Sequence, residues 1–377
     1  MYSKVIRYTL FQDSDVGHGG DKRTAQISWL LNDAGIHWKR IPTGMESPGL
    51  SFDFLMRLFR MTMLYLKVMV TIHNFCHPVR FYRTIRITSK FSGIFDIEKG
   101  RDGSVLLWEM TKSEYSFIVP LFRGKGFRII SIPHNIESMV PEQRSAVTNR
   151  LSPRWINEEI RLLKKCDHVF SISHEDTMLL RKLGIEADFL PYYPSPTNLK
   201  FLLDIRNRRF ERKIFSTGRR KILLLGSALN PPTRLGMEYI IDLFIKNEFD
   251  FCDLIIAGYG TERFQNMNKA SNIIIKGELS QIQLSNTIAG CDVALVHHFP
   301  SSGFITRIIE FLIAGVPVIS NPEGALNYHS VDGVYVYKDE SQLAELIKRE
   351  LDLPPVPEKP EKEFKKFVNK LDELIML

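Results

Sequence analysis

SSGFITRIIEFLIAGVPVISN, residues 301–321, is the stretch from which the rest of the chain is best read. Ser302 and Gly303 make a turn, and Ile305–Ala314 then runs at helical spacing with Thr306, Arg307 and Glu310 along one side. Gly315-Val316-Pro317 ends the helix, because glycine accepts the left-handed backbone of a helix stop and proline cannot continue one. Val316–Ser320 is apolar and rich in β-branched residues, which suits a strand buried on both faces. Arg307 and Glu310 stand three apart and would pair with each other on a solvated face. Glu310, however, is the one carboxylate in IIEFLIAG, and a buried carboxylate needs polar partners. Ligand hydroxyls would supply them.

The same alternation of strand and helix extends outward. Upstream come Lys221–Gly226 (strand), Leu235–Lys246 (helix), Asp253–Ala257 and Asn272–Lys276 (strands), Ser280–Ala289 (helix) and Val293–Val296 (strand). Downstream lie a helix at Ser341–Glu350, the proline-spaced PPVPEKP and an amphipathic helix from Glu361 to Leu377. The front of the chain repeats the scheme: a strand at Val5–Phe11, the loop QDSDVGHGG, a helix at Thr24–Ala34 and a strand at Ile36–Ile41. Further strands are read at Ser104–Trp108, Arg128–Ile132 and His168–Ser171, with helices at Glu158–Lys165 and Glu175–Leu183. Strands alternating with helices indicate parallel sheets wound by right-handed crossovers. The prolines of LPYYPSPT near residue 194 divide the chain into two doubly wound α/β domains facing a cleft. The expected limits are 1–205 for the first domain, 206–220 for a basic linker, 221–355 for the second domain and 356–377 for the closing helix.

Composition narrows the function. With 377 residues, 44% apolar and 25% charged, the chain is neither collagen-like nor wholly disordered. Cys76, Cys166, Cys252 and Cys291 are scattered, so neither a disulfide framework nor a zinc ribbon is expected. No apolar leader pattern or membrane-spanning run is seen, and a cytoplasmic location follows as the expectation.

The net charge of +7 is uneven. Residues 206–220 carry seven basic residues against one acidic. Between Phe54 and Phe95 stand seven basic residues, among them Arg57, Arg60, Lys67, Arg80 and Arg83, with no carboxylate. These are interleaved with Leu, Met, Phe and Tyr, a combination that suits an anionic membrane surface. An ordinary core helix with outward-reaching arginine stems would share the composition, and nucleic acid is the least favoured partner.

Gly17, Gly19 and Gly20 between the first strand and helix would let backbone amides approach an anion at a helix N-terminus. Their spacing is not the dinucleotide fingerprint G-x-G-x-x-G.

Ser302–Asn321 resembles the donor-binding segment of GT-B glycosyltransferases, especially the family 4-like type (glycosyl transferases group 1). The pattern of that group runs E-G-F-G-x-x-x-x-E-A-x-A-x-G-x-P-V. The resemblance implies that Glu310 holds the ribose hydroxyls of a nucleotide sugar. The turn Ser302, Gly303, Phe304, Ile305 and Thr306 would cap the diphosphate, and Arg307 would neutralise it. The first glutamate of the pattern, which meets the sugar ring, is Ser302 here.

Other stretches agree in order. GHGGDKR resembles the family's N-terminal glycine loop, implying that Gly19, Gly20 and Arg23 face donor phosphate or acceptor. IPHNIE, 132–137, resembles its H-N-x-E stretch, implying His134 in the cleft with Glu137 nearby on the acceptor side. LLLGSALNPPTRLG, 223–236, resembles the first strand and loop of the donor domain, with Ser227 where arginine is common and Arg234 as the phosphate cation. LIIAGYGTE and IIIKGELS resemble strands whose loops, at Gly258 and Gly277, flank the base. The closing helix resembles the segment that crosses back to the first domain.

The implied activity is glycosyl transfer (EC 2.4) from a UDP- or GDP-linked donor, metal-independent and without a further cofactor, the leaving diphosphate being stabilised by helix N-termini, Arg234 and Arg307. The expected acceptor is a lipid-linked glycan in cell-surface polysaccharide or glycoconjugate synthesis, at the inner face of a membrane. Asp13 and Asp15, or His134, are the candidate proton acceptors. The alternatives are a catalytically silent nucleotide-binding protein of the same fold and an enzyme acting on a soluble or DNA acceptor.

Overall fold

A computed structural model describes residues 4–42, 52–90, 93–109, 111–213, 219–246, 249–267 and 270–377. The first sheet contains β1 (Val5–Tyr8), β2 (Trp38–Arg40), β3 (Val105–Trp108), β4 (Arg128–Ser131), β5 (His168–Ser171) and β6 (Ala187–Phe189), in the order β2-β1-β3-β4-β5-β6. The second contains β7 (Arg220–Leu225), β8 (Cys252–Ala257), β9 (Ile273–Gly277), β10 (Val293–Val296), β11 (Val318–Ser320) and β12 (Val334–Val336), in the order β12-β11-β10-β7-β8-β9. The paired strands run parallel throughout. Central strands such as β1, β3 and β10 are buried along their whole length, as strands covered by helices on both faces must be.

The strand orders set the position of the site. In the first sheet, β2 and β3 lie on opposite sides of β1; in the second, β8 and β10 lie on opposite sides of β7. At each reversal the loops leaving the strand ends diverge and open a crevice, where ligands of such sheets bind. The loops concerned are those after β1 and after β7 and β10.

The first domain carries α1 (Gly19–Asp33), α2 (Phe52–Ile72), α3 (Pro78–Thr88), α4 (Ile118–Gly124), α5 (Ile156–Leu163) and α6 (His174–Lys182). α7 (Pro196–Lys213) leads to the second domain, with α8 (Pro231–Lys246), α9 (Gln281–Gly290), α10 (Thr306–Ile313) and α11 (Glu340–Lys348). α12 (Glu361–Met376) returns to the first domain. Its Phe367 meets Phe170 at 5.1 Å, its Phe364 meets Trp29 at 5.7 Å, and Lys366 Nζ reaches Asp188 at 2.7 Å. Fully burying one such phenylalanine contributes about 2–3 kcal/mol. One apolar cluster runs from Val5 through Phe367 and Ile205 to Ile308 and Val318, joining the two domains.

The basic stretch read as a linker is in large part helix. Arg206 Nη1 donates to Leu312 O at 3.2 Å, and Arg209 donates to Ile288 O at 2.9 Å and Gly315 O at 3.1 Å. These are carbonyls at and just beyond the C-terminal ends of α9 and α10, where Ile288 O and Leu312 O otherwise accept from the capping turns, through Cys291 N and Gly315 N. α7 therefore serves as a brace between domains; residues 214–218 of the expected linker lie outside the described residues.

α1 begins at Gly19, five residues ahead of the expected Thr24, and β1 stops at Tyr8 rather than Phe11. β6 and β12, three residues each at sheet edges, have no apolar run long enough to announce them. Among the described residues no helix is long and apolar enough to cross a membrane.

Candidate active site

The two domains meet where α1 and α10 begin. A Cβ on Gly19 would stand 2.9 Å from Thr306 Oγ1, so the first residues of both helices are in contact. Gly303 has φ +104°, and a Cβ there would overlap the Asn135 side chain and stand 3.0 Å from His134 O. Only glycine fits such a place. Tyr328 holds the turn from behind: its hydroxyl donates to Ile305 O at 2.8 Å, and its ring packs on Phe304 at 4.9 Å.

Glu310 lies one turn into α10 and is 7% exposed. Its Oε2 accepts from Lys22 Nζ at 2.6 Å, and its Oε1 accepts from Tyr192 Oη at 2.7 Å and Asn198 Nδ2 at 3.1 Å. The polar partners that burial demands are thus protein groups, where ligand hydroxyls had been expected. Ser302 Oγ donates to Asp176 at 2.9 Å and accepts from Ile136 N at 2.5 Å. Gly303 N also donates to Asp176, at 3.1 Å, and Thr306 N to Phe304 O, so neither amide is free for phosphate in this arrangement. The position of the family's first glutamate, filled by Ser302, receives a carboxylate across the cleft from Asp176, whose pKa is pushed up by burial.

Arg307 differs from Glu310. Its Nε is buried without a hydrogen-bond partner, and a Cβ on Gly226 would lie 3.2 Å from its Nη1. Burial lowers its pKa only to about 10, so it stays cationic at neutral pH. His298 beside it is pushed down to about 3, by burial first and by the Arg307 charge second, and is therefore neutral. Gly258 (φ +119°) and Gly277 (φ +71°) bring the loops after β8 and β9 alongside: Gly258 N donates to Gly277 O at 2.8 Å, and a Cβ on Gly258 would overlap Gly226 O.

On the first-domain wall, His134 stacks on Phe11 with ring centroids 4.6 Å apart, and Phe11 occupies the space that a Cβ on Gly20 would need. His134 Nε2 is buried without a partner, and burial with the charges of Arg23 and His18 lowers its pKa to about 3. Its neutral ring has a hydrogen-bonding nitrogen to offer and no proton to give as imidazolium. Asp13-Ser14-Asp15 spells D-x-D, but the carboxylates part: Asp13 accepts from Ser28 Oγ at 2.5 Å and Asp15 from Ser195 Oγ at 2.6 Å. Among the described residues no three His, Cys, Asp or Glu side chains gather as a metal site.

Three expected residues are engaged elsewhere. Arg23 is fully buried and donates to Leu190 O at 2.6 Å and Pro191 O at 3.0 Å, so it fastens the strand-end loop and does not face the cleft. Arg234 pairs with Glu238 at 3.1 Å and with Glu142 at 2.7 Å, which spends its charge on carboxylates. Glu137 is buried beside Asn135, its pKa raised by burial, and its amide donates to Glu159 at 2.9 Å. Lys22, Phe11, Asp176, Tyr192 and Asn198 were not foreseen. For Lys22 the signal was present: with α1 starting at Gly19, Arg23 shares the inward face with Ile27, Leu30 and Leu31, which turns Lys22 to the cleft.

On the opposite face of the first domain, α2 buries Met61, Leu64, Tyr65, Val68 and Ile72. Its outer side leaves Phe52, Leu55, Phe59, Met63, Leu66 and Val70 exposed, and Phe75 beyond it is 95% exposed. Arg60, Lys67 and Arg83 are exposed among them; Arg57 and Arg80 are partly covered, Arg80 donating to Asn149 Oδ1 at 2.9 Å.

Residues 219–352 match the family model described as glycosyl transferases group 1. Over the whole chain, the fold aligns with sucrose-phosphate synthase of Thermosynechococcus elongatus at TM-score 0.60 and 16% identity, covering 99% of this chain and 96% of that one. Trehalose 6-phosphate synthase of Burkholderia multivorans aligns at 0.58 and 11%, covering 100% and 93%. HepE of Anabaena, in complex with UDP-glucose, aligns at 0.55 and 13%, covering 99% and 98%. No curated protein matches by sequence.

The chain has the GT-B fold.

Within this GT-B fold the region matched by the family model holds Arg307, Glu310, Gly226, Gly258 and Gly277, and the unmatched first domain supplies Lys22, Asp176 and Tyr192 to the same crevice.

Proposed function

We propose that this protein is a glycosyltransferase that moves a sugar from a nucleoside diphosphate donor to a lipid-linked glycan at an anionic membrane surface, in the assembly of a cell-surface glycan. The observation that carries the donor reading is electrostatic. Arg307, partnerless at Nε, and Lys22 occupy the first turns of two helices whose N-termini touch; Asp21 is engaged by the amides of Gln12 and His18 and Asp176 by Ser302 and Gly303, while Glu310 stands one turn further on. Each helix N-terminus adds roughly half a positive charge. A diphosphate complements that excess, and Glu310 accepts the hydroxyls of the attached ribose. As the anomeric bond breaks, negative charge grows on the departing diphosphate, and a fixed guanidinium shielded from water stabilises it more than bulk solvent would. The UDP-glucose bound by HepE supports a UDP-linked donor. The neutral His134 and the carboxylates of Asp13 and Asp15 border the acceptor side.

The lipid reading rests on α2 and α3. Apolar side chains at helical spacing point outward among cations, so the face can bury in the headgroup zone while Lys67 and Arg83 meet lipid phosphate.

Melting curves with UDP-, GDP-, ADP- and dTDP-sugars test the donor, since a ligand bound only by the folded state raises the midpoint. One UDP- or GDP-sugar should stabilise the wild type and not Glu310→Ala; equal shifts in both would remove Glu310 from the site. Flotation with phosphatidylglycerol vesicles at low salt tests the membrane, and failure to float would leave a soluble acceptor.

A further inference from the structure

We propose that Lys22 is a donor-exchanged cation: it neutralises Glu310, and a nucleoside diphosphate draws it from that carboxylate onto the phosphates. This rests on the donor site proposed above.

Hydrogen-bond capacity motivates the exchange. A carboxylate has about four acceptor positions, two on each oxygen. Both on Glu310 Oε1 are taken, by Tyr192 Oη and Asn198 Nδ2, whereas Oε2 accepts only from Lys22. A vicinal ribose diol donates two hydrogen bonds, and Oε2 has one position left. The second becomes available when Lys22 withdraws. Tyr192 and Asn198 are 1% and 4% exposed and fixed within the junction, so Lys22 is the partner able to leave.

Charge directs where it goes. Lys22 lies in the first turn of α1, where the helix N-terminus disfavours a cation; the neighbouring Asp21 is taken up by the amides of Gln12 and His18, so the ammonium needs an anion of its own. Glu310 compensates it at 2.6 Å. When ribose hydroxyls share that carboxylate, the nearest alternative anion is the diphosphate attached to the same ribose, held at the contact between Gly19 and Thr306. The flexible lysine stem lets the ammonium swing between the two as a point charge, which a planar guanidinium does less readily. One residue of the first domain thereby reads the phosphates of a donor whose ribose is bound by the second.

Calorimetric titration separates this from a merely structural role. Uridine and UDP, and guanosine and GDP, are titrated into wild type, Lys22→Met and Lys22→Arg. Lys22→Met is expected to weaken the preferred diphosphate about tenfold or more while leaving its nucleoside unchanged or tighter, and Lys22→Arg to restore part of the diphosphate affinity. A second variant, Glu310→Gln, should weaken the nucleoside and leave the ratio of diphosphate to nucleoside affinity near that of the wild type. Equal weakening of nucleoside and diphosphate in Lys22→Met, or diphosphate affinity within twofold of wild type, would overturn the exchange. If the wild type binds no nucleoside diphosphate, the donor site itself fails, and the exchange with it.

Discussion

Residues 57–90 and 206–220 carry similar surpluses of arginine and lysine, and the fold treats them in opposite ways. In α7, Arg206 and Arg209 turn inward and donate to carbonyls at the ends of α9 and α10, the negative pole of each helix, while the exposed Arg208 reaches Asn286 Oδ1 on α9. In α2 and α3, Arg60, Lys67 and Arg83 stay exposed among Phe59, Met63 and Tyr82. The role of a basic run is therefore set by what reaches it: helix carbonyls turn one into a brace, and the other keeps exposed apolar neighbours, the face we propose for lipid. Lys22 and Arg307 form a third case, cations at helix N-termini, where only an anion makes the placement favourable.

The contrast can be broken most forcefully by reversing charge on the outer face. Arg60→Glu, Lys67→Glu and Arg83→Glu together should cut flotation on anionic vesicles at least ~100-fold, since each basic residue near such a surface contributes about 1 kcal/mol. The melting temperature should hardly move. Retained flotation would assign this face to something other than lipid. Arg209→Ala should do the reverse: loss of its bonds to the carbonyls of Ile288 and Gly315 should cost about 2–3 kcal/mol, read by denaturant unfolding, with flotation intact. A stability change below about 0.5 kcal/mol would mean that α7 is no brace. Phe59→Ser sharpens the lipid side alone, with an expected loss of about tenfold in vesicle partition, from the burial of one aromatic side chain, and no loss of stability.

The smallest effect concerns a charge that the fold refuses. His134 is held near pKa 3, so exchanging it for glutamine should move no limb of the activity profile between pH 6 and 8. Stability behaves differently. The unfolded chain protonates His134 from about pH 6.5 downward while the folded state waits until about 3, so the unfolded state binds the extra proton and stability is lost as pH falls through that window. Melting curves of wild type and His134→Gln should diverge only on the acid side; divergence at neutral pH would show His134 already charged.

Much of this architecture was legible because parallel sheets covered on both faces write themselves as apolar runs. β5 and β10 fall where the sequence puts them, and the stop at Gly315 ends α10 as read. The edge strands β6 and β12 escaped because three residues are too few to leave a pattern. In the site, Arg307 and Glu310 stand out as polar residues in an apolar helix, but the partners of Glu310 come from residues 112 to 288 positions away. No local period encodes such pairings. Arg23 was read and Lys22 was not for a local reason: a helix begun five residues late hides which side of its first turn faces inward. The pairing of Arg234 with Glu142 was hidden for a distant one, because the two lie 92 residues apart.

A crystal structure with the nucleoside diphosphate that most raises the melting temperature tests the donor site directly. The ribose hydroxyls should lie within hydrogen-bonding reach of Glu310, about 3 Å, with a phosphate oxygen at a similar distance from the Arg307 guanidinium. A nucleoside bound away from the first turn of α10, with Glu310 and Arg307 untouched, would contradict it.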